Sequence, residues 1–195
     1  MAAFATRESA LQWHPVSYEE LYREGLNLAT GLIMLGVRAR DHLGLFGDIR
    51  YEWMLADYGV QLCGAADVPR GRDVSDAELQ YIIDHAGIEV SFVETRQLAN
   101  RLLKLKDQLP GLKHIIMLDP KANAPEGVLT LDAIRQTGAH ARRNGDRRAE
   151  ERIAGIRPDD LIYPDIYIRD HRHTQRGDAE SRQHDVADSE PARPI

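Results

Sequence analysis

Cysteine is nearly absent from this sequence, which contains Cys63 and no other cysteine in its 195 residues. A single cysteine cannot form an intramolecular disulfide, so nothing in the sequence calls for an oxidising compartment. Cys63 falls in an apolar, helix-like stretch. We therefore interpret it as a small buried hydrophobic residue and not as a nucleophile.

Long hydrophobic runs and clustered positive charge are also missing. No run approaches the ~20 apolar residues of a membrane span, and the N-terminus MAAFATRESALQW has no apolar core behind a basic segment, so the cytoplasm is the expected location. Lys and Arg number 25 against 31 Asp and Glu, a formal net charge of −6. Without a basic stripe, nucleic acid is excluded as an expected partner.

Alternating helix and strand patterns fill the middle of the chain, whose hydrophobic fraction of 43% is enough for one buried core. Two Ser-x-x-Glu capping boxes, at Ser17 and Ser75, predict helix starts. Helices are also predicted over 51–62, 96–109 and 131–136, and strands over 42–46, 65–69, 88–93 and 113–118. Such alternation predicts an α/β fold with a mostly parallel sheet.

The candidate site residues in the body of the chain all have structural interpretations. Gly44 and Gly47 fail the GxGxxG spacing and are assigned to close packing. Asp159 and Asp160 are read as a turn and a cap, and His85 as favouring a helix terminus. The charged stretch HARRNGDRRAEER, residues 140–152, is read as a solvated helix face. No catalytic, cofactor-binding or metal-binding residue is predicted, because no nucleophile, base and anion cradle come together.

The end of the chain has a different composition from the body. After Tyr167 there is no aromatic residue and almost no large aliphatic one, which predicts disorder. This segment contains a histidine and aspartate group that resembles a metal-ligand set: Asp170, His171, His173, His184 and Asp185. Metal ligands need a rigid scaffold and supporting partners, so no metal site is predicted there.

Three segments carry a resemblance to a known family: VSYEELYREGLNLATGLIMLGVRARDHLGLF, IRYEWMLADYGVQLCGAADVP and DAELQYIIDHAGIEVSFVE. In this order they resemble the N-terminal region of the adenylate-forming acyl-CoA synthetases, over residues 13–161. DVPRGRD at 67–73 is similar to the long-chain fatty acid branch. The resemblance implies a parent reaction in which a fatty acid and ATP form an acyl-adenylate and pyrophosphate, and CoA then displaces AMP, with Mg²⁺ screening the phosphates.

In that family, IRPDDL is followed by a strand and a phosphate loop of the form YTSGTTGxPKG, which this reading frame does not contain. Codons can be assigned to Tyr167 and the residues after it and read one nucleotide later, and the result is TSGTTGTPKGVMLNHANM. The protein sequence fixes the first two bases of nearly every codon, which limits the freedom to invent this motif. The reading therefore predicts a frameshift near Tyr167.

The expected organisation is a flexible N-terminus over 1–12, a partial synthetase N-terminal domain over 13–167, and a disordered, out-of-frame tail over 168–195. Without the phosphate loop this chain is expected to be inactive and to bind no cofactor, whereas the parent family uses ATP, Mg²⁺ and CoA. Two alternatives remain. The chain could be a binding module or half of a split synthetase that pairs with a missing lobe, or an α/β domain of another class, such as a nucleotide-binding regulatory domain.

Overall fold

The computed structural model describes residues 2–9 and 12–160, with side chains described from residue 15 onward. It begins with an antiparallel hairpin of β1 (Ala2–Ser9) and β2 (Gln12–Ser17). The sequence indicates no strand within residues 1–12, where a flexible N-terminus is expected, so this hairpin corrects the element assignment. Thr6 is the only β-branched residue in β1, and the strand is decided by its pairing more than by residue preference.

Helices and strands alternate through the rest of the described chain. The helices are α1 (Tyr18–Met34), α2 (Tyr51–Leu62), α3 (Asp76–His85), α4 (Arg96–Leu105), α5 (Leu131–Arg143) and α6 (Arg148–Gly155), with a 3₁₀ turn over Lys106–Gln108. The strands are β3 (His42–Phe46), β4 (Ala66–Arg70), β5 (Val90–Val93), β6 (His114–Met117) and β7 (Leu129–Thr130).

These five strands form one parallel sheet in the order β4-β3-β5-β6-β7. The chain passes from β3 to β4 through α2, then crosses back over β3 through α3 to reach β5. The direction of winding therefore reverses at β3, and helices cover both faces of the sheet. The predicted α/β class with a mostly parallel sheet is confirmed.

Two core layers lie on opposite faces of the sheet. The first core layer is covered by α1, α2, α5 and α6 and includes Leu28, Leu45 and Phe92, all with no exposed surface. The second core layer is covered by α3 and α4 and includes Phe46 and Leu102. Neighbouring residues of β3 and β5 point to opposite layers, as the two-residue repeat of a strand requires.

Capping residues set several helix starts. Ser75 and Glu78 form the predicted capping box of α3, in which each side chain accepts from the other residue's backbone N–H. At α1, Ser17 accepts from the Glu20 backbone, but the reciprocal bond from Glu20 does not form. Gly36 follows α1 with φ of 97°, the left-handed conformation expected of a helix-ending glycine.

The segment after Pro120 contains more helix than the sequence indicates. The helix predicted over 131–136 extends to Arg143 as α5, and α6 follows after a turn at Gly145. Arg142 and Glu150 join these two helices through an ion pair of 2.9 Å. Charge pairs and packing against α1 thus stabilise helices in a stretch that contains few apolar residues. The strand expected after Asp160 lies outside the described residues.

Candidate functional site

The reversal of winding at β3 identifies the first place to look for a ligand. In open α/β sheets, ligands bind at the carboxyl ends of the strands, beside the point where winding reverses. Here the side chain of Glu94, which directly follows β5, lies at that point. The backbone N–H of Asp48 donates to its carboxylate at 3.0 Å, and a Cβ on Gly47 would lie 2.6 Å from the Glu94 Cβ. The protein's own acidic side chain therefore fills the crevice between β3 and β5.

An open cleft of about 460 Å³ lies further along the same edge, beyond the carboxyl end of β6. Its walls come from the starts of α1, α2 and α5 and from the loop after β6. The apolar floor is Leu55, Met117, Leu118 and Leu131. Its charged lining consists of Glu20, Glu24, Glu52, Asp119, Asp132 and Arg135. We call this the acidic cleft.

Arg135 organises one wall of the acidic cleft. Its guanidinium donates to the carboxylates of Glu24 and Asp132. Burial would raise the pKa of Glu24, but hydrogen bonds from Arg135 and Arg23 and the charge of Arg135 outweigh it, so the pKa of Glu24 is lowered. Glu24 is therefore ionised at neutral pH. Its partner Arg135 lies on α5, 111 residues further along the chain.

The remaining carboxylates leave the acidic cleft negative. Glu52 forms an ion pair of 2.6 Å with Arg50, a residue that does not line the cleft. Asp119 accepts from the backbone N–H of Lys121. Five carboxylates and one guanidinium line the cleft, and counting Arg50 as well still leaves more negative than positive charge. Such a lining repels a triphosphate or a fatty acid carboxylate.

The glycines and aspartates weighed as site residues have the structural roles predicted for them. A Cβ on Gly44 would lie 2.5 Å from the Phe46 ring, so close packing explains this glycine as it does Gly47. Asp160 accepts from the backbone N–H of Arg157 and pairs with Arg40 at 2.8 Å, as expected of a turn residue.

The histidine and cysteine candidates in the body of the chain also pack locally. His85 ends α3 and stacks on Tyr81 with ring centroids 5.2 Å apart. Cys63 has no exposed surface, and burial raises the pKa of its thiol to about 12. A thiol in this state is a poor nucleophile.

The tail residues Asp170, His171, His173, His184 and Asp185 lie outside the described residues, as does the position of the predicted frameshift near Tyr167. Within residues 15–160, no group of three or more histidine, cysteine or carboxylate side chains is arranged to hold a metal ion. Among the described helices none combines the length and apolar character that crossing a membrane demands.

The acidic cleft was not predicted from the sequence. Its charged residues lie between positions 20 and 135 of the sequence. They come from three helices and a loop, and no local spacing pattern connects them. Glu24 and Arg135 meet only because α1 and α5 pack side by side. A charge pair of this kind leaves no signal in a single sequence.

Comparison with known proteins identifies the family. The profile of the AMP-binding enzyme family matches residues 2–164. The chain belongs to this family, which confirms the resemblance seen over residues 13–161. It is 29% identical over 154 residues to the long-chain-fatty-acid–CoA ligase FadD15 of Mycobacterium tuberculosis, covering 77% of this chain and 24% of that protein.

A second relative is the long-chain-fatty-acid–CoA ligase ACSBG2 of Xenopus laevis, 31% identical over 105 residues, which cover 54% of this chain and 14% of that protein. Among solved structures, the anthranilate CoA ligase AuaEII in complex with anthranoyl-AMP superposes with a TM-score of 0.58 at 20% identity, covering 70% of this chain and 24% of that one. The chain thus spans about a quarter or less of the length of these relatives.

Proposed function

We propose that this chain is the N-terminal part of a long-chain acyl-CoA synthetase and that it catalyses neither step of the parent reaction by itself. The parent reaction joins a fatty acid to CoA through an acyl-adenylate, with ATP and Mg²⁺ as cofactors. The observation that carries the proposal is the reading frame after IRPDDL. Where the family has its phosphate loop, this frame continues as IYPDIYIRDHRH.

The charges of the described residues support the same proposal. A phosphate cradle needs converging backbone N–H groups and a cation to neutralise the triphosphate while the carboxylate attacks the α-phosphorus. The crevice at the reversal of winding instead contains Glu94, and the acidic cleft is lined by more carboxylates than guanidinium groups. Both places favour cations over nucleotide phosphates.

The first experiment measures catalysis and nucleotide binding by the purified chain. ATP, Mg²⁺, palmitate and CoA are added and pyrophosphate release is followed, with FadD15 of M. tuberculosis assayed in parallel as the active control. We expect no release above the protein-free rate and no saturable heat of ATP binding. Turnover comparable with the control, or saturable ATP binding, would contradict the proposal.

The frameshift hypothesis has its own test, which is to sequence the DNA that encodes residues 166–177 together with the region downstream of it. We expect an overlapping frame that spells the phosphate loop and then continues for several hundred codons. If that frame closes soon after the loop, the hypothesis is wrong.

A split synthetase is the second candidate. It is favoured by the chain's coverage of its relatives and by the position of β4, which pairs on one side only within the described sheet. Affinity capture from the native host with the tagged chain, followed by mass spectrometry, separates the two candidates. A partner whose sequence begins near the phosphate loop would establish the split enzyme, and recovery of no such partner would leave the inactive N-terminal part.

A further inference from the structure

A second concave surface adjoins the acidic cleft where α1 and α5 lie side by side. It is an open groove of about 810 Å³ that continues to the turn before α6. Its charged lining consists of Arg23, Glu24, Arg135, Arg142, Arg143 and Arg147. We call this the basic groove.

The basic groove has an excess of positive charge on a protein that is negative as a whole. Glu24 is the one carboxylate in its lining. Ion pairs bring in two more carboxylates from outside the lining, Asp132 with Arg135 and Glu150 with Arg142. Five guanidinium groups against three carboxylates leave the groove positive, whereas the formal net charge of the chain is −6. The groove meets the acidic cleft at Glu24 and Arg135, which line both.

The end of α5 holds the Arg147 side chain in position. Its Nη1 donates to the backbone carbonyls of Arg142 and Asp146, both at 3.0 Å. The carboxylate of Asp146 pairs with Arg148 and not with Arg147. A guanidinium has five N–H donors, so the edge formed by Nε and Nη2 of Arg147 is left without a partner among the described residues. This edge matches the two oxygens of a carboxylate.

Arg143 supplies a second guanidinium at the same end of the basic groove. It is exposed in the last turn of α5, and its side chain has no ion pair or hydrogen bond within the described part of the chain. Together with Arg142 and Arg147 it brings three guanidinium groups to one turn between two helices, where Glu150 pairs with Arg142 alone. Like charges gathered in this way repel one another, and anions bound between them relieve the repulsion.

We propose that the basic groove docks an acidic segment of a partner protein, with carboxylates bound to the free edge of Arg147 and to Arg143. A flat membrane surface does not enter a concave groove. A nucleic acid strand carries a charge about every 3.4 Å along its length and would continue from the groove onto the acidic cleft, which repels it. A short acidic segment can end at the boundary set by Glu24. This gives a binding role to part of the stretch 140–152, and it does not depend on whether the chain is catalytically active.

The test measures fluorescence anisotropy of a labelled octaglutamate peptide titrated with the full chain, and octaglutamine is the neutral peptide control. We expect saturable binding of octaglutamate at about 0.1 M salt and its loss at about 1 M, where the screening length falls to about 3 Å. The double variant Arg143→Gln with Arg147→Gln should weaken binding about tenfold, because two charge-assisted contacts are removed. The control variant, Arg96→Gln with Lys104→Gln, removes the same charge from exposed positions of α4 and should bind like the wild type.

Equal affinity of the wild type and the Arg143→Gln, Arg147→Gln variant, or equal binding of octaglutamine, would overturn the proposal. Tighter binding of a short single-stranded oligonucleotide or of phosphatidylserine vesicles through the same two arginines would also contradict it. ATP at the concentration of the peptide should not displace it, and displacement would show a phosphate site instead.

A second measurement applies even if the double variant fails to fold. The backbone amide resonances of the wild-type chain are followed as octaglutamate is added. The shifts should be centred on residues 140–147, and shifts centred elsewhere would show that the peptide does not bind in the basic groove.

Discussion

At the residue scale, Arg135 decides the character of the acidic cleft. Its side chain is 30% exposed and holds Glu24, whose side chain is 13% exposed. A carboxylate this deeply placed needs a partner, because an uncompensated charge loses its hydration without gaining a bond. Asp132, in the first turn of α5, binds the same guanidinium and fixes its direction.

Replacing Arg135 by Gln should therefore destabilise the protein by about 1.5–3 kcal/mol at pH 7, the usual contribution of a hydrogen bond to a charged group. Glu24 keeps its hydrogen bonds from Arg23 and Asn27. The pKa of Glu24 is lowered in the fold, so its contribution is present above the unfolded pKa and is lost as the pH falls through the folded value. Urea denaturation at pH 7 and pH 3 measures the difference.

Arg143→Gln, an exposed position in the last turn of the same helix, is the matched control for this prediction. It removes one positive charge from α5 without touching Glu24. An equal loss of stability in both variants, or a loss at Arg135 that does not shrink at pH 3, would show that the pair with Glu24 is not the cause.

At the element scale, the close crossing of α1 and α5 shapes the first core layer. Gly31 and Gly138 lie at this crossing. A Cβ on Gly138 would lie 1.8 Å from the carbonyl oxygen of Asn27, and one on Gly31 would lie 2.2 Å from the carbonyl oxygen of Ile134. The helix backbones therefore touch, and only residues without a side chain fit.

Gly138→Ala should push α5 away from α1 and cost about 1–3 kcal/mol or more, as overpacking does in other cores. Gly155→Ala, at the end of α6 with nothing within 4 Å of its added Cβ, is the control. That control should change little or gain up to about 1 kcal/mol from helix preference. Thermal unfolding of both variants measures the contrast, and similar melting temperatures would mean that the crossing is looser than described.

At the scale of the whole molecule, the two core layers share one sheet. Strands β3, β5 and β6 each contribute side chains to both layers, with Leu45 and Phe46 as adjacent examples. Neither layer can lose its packing without disturbing the strands that support the other. We therefore expect the described α/β body to unfold as one cooperative unit.

Leu102→Ala in the second core layer tests this. The change removes a side chain with no exposed surface and should cost about 2–5 kcal/mol. In a Trp13→Phe background, Trp53 is the sole tryptophan and reports on the first core layer. Its fluorescence transition should shift together with the circular dichroism transition. The control is Leu103→Ala, a half-buried neighbour with a smaller expected shift, and a Trp53 transition that stays in place would show two separate units.

Local signals explain how much of this fold is readable in advance. The predicted helix over 51–62 coincides with α2, and the strand over 42–46 with β3, because an apolar period and short-range turn residues specify each one. The hairpin of β1 and β2 and the full length of α5 were missed. The length of α5 depends on packing against α1, which is distant in the chain, and the hairpin depends on pairing between residues of weak strand preference.

The sequence by itself determined the α/β class, the family and the absence of a phosphate loop after IRPDDL, because these depend on the order of residues along the chain. The tertiary structure alone decided that Glu94 fills the crevice beside β3 and that Arg135 meets Glu24. Each of these contacts joins elements far apart in the chain. Its electrostatic consequences come from burial and proximity, which exist only once the sheet and its helices are packed together.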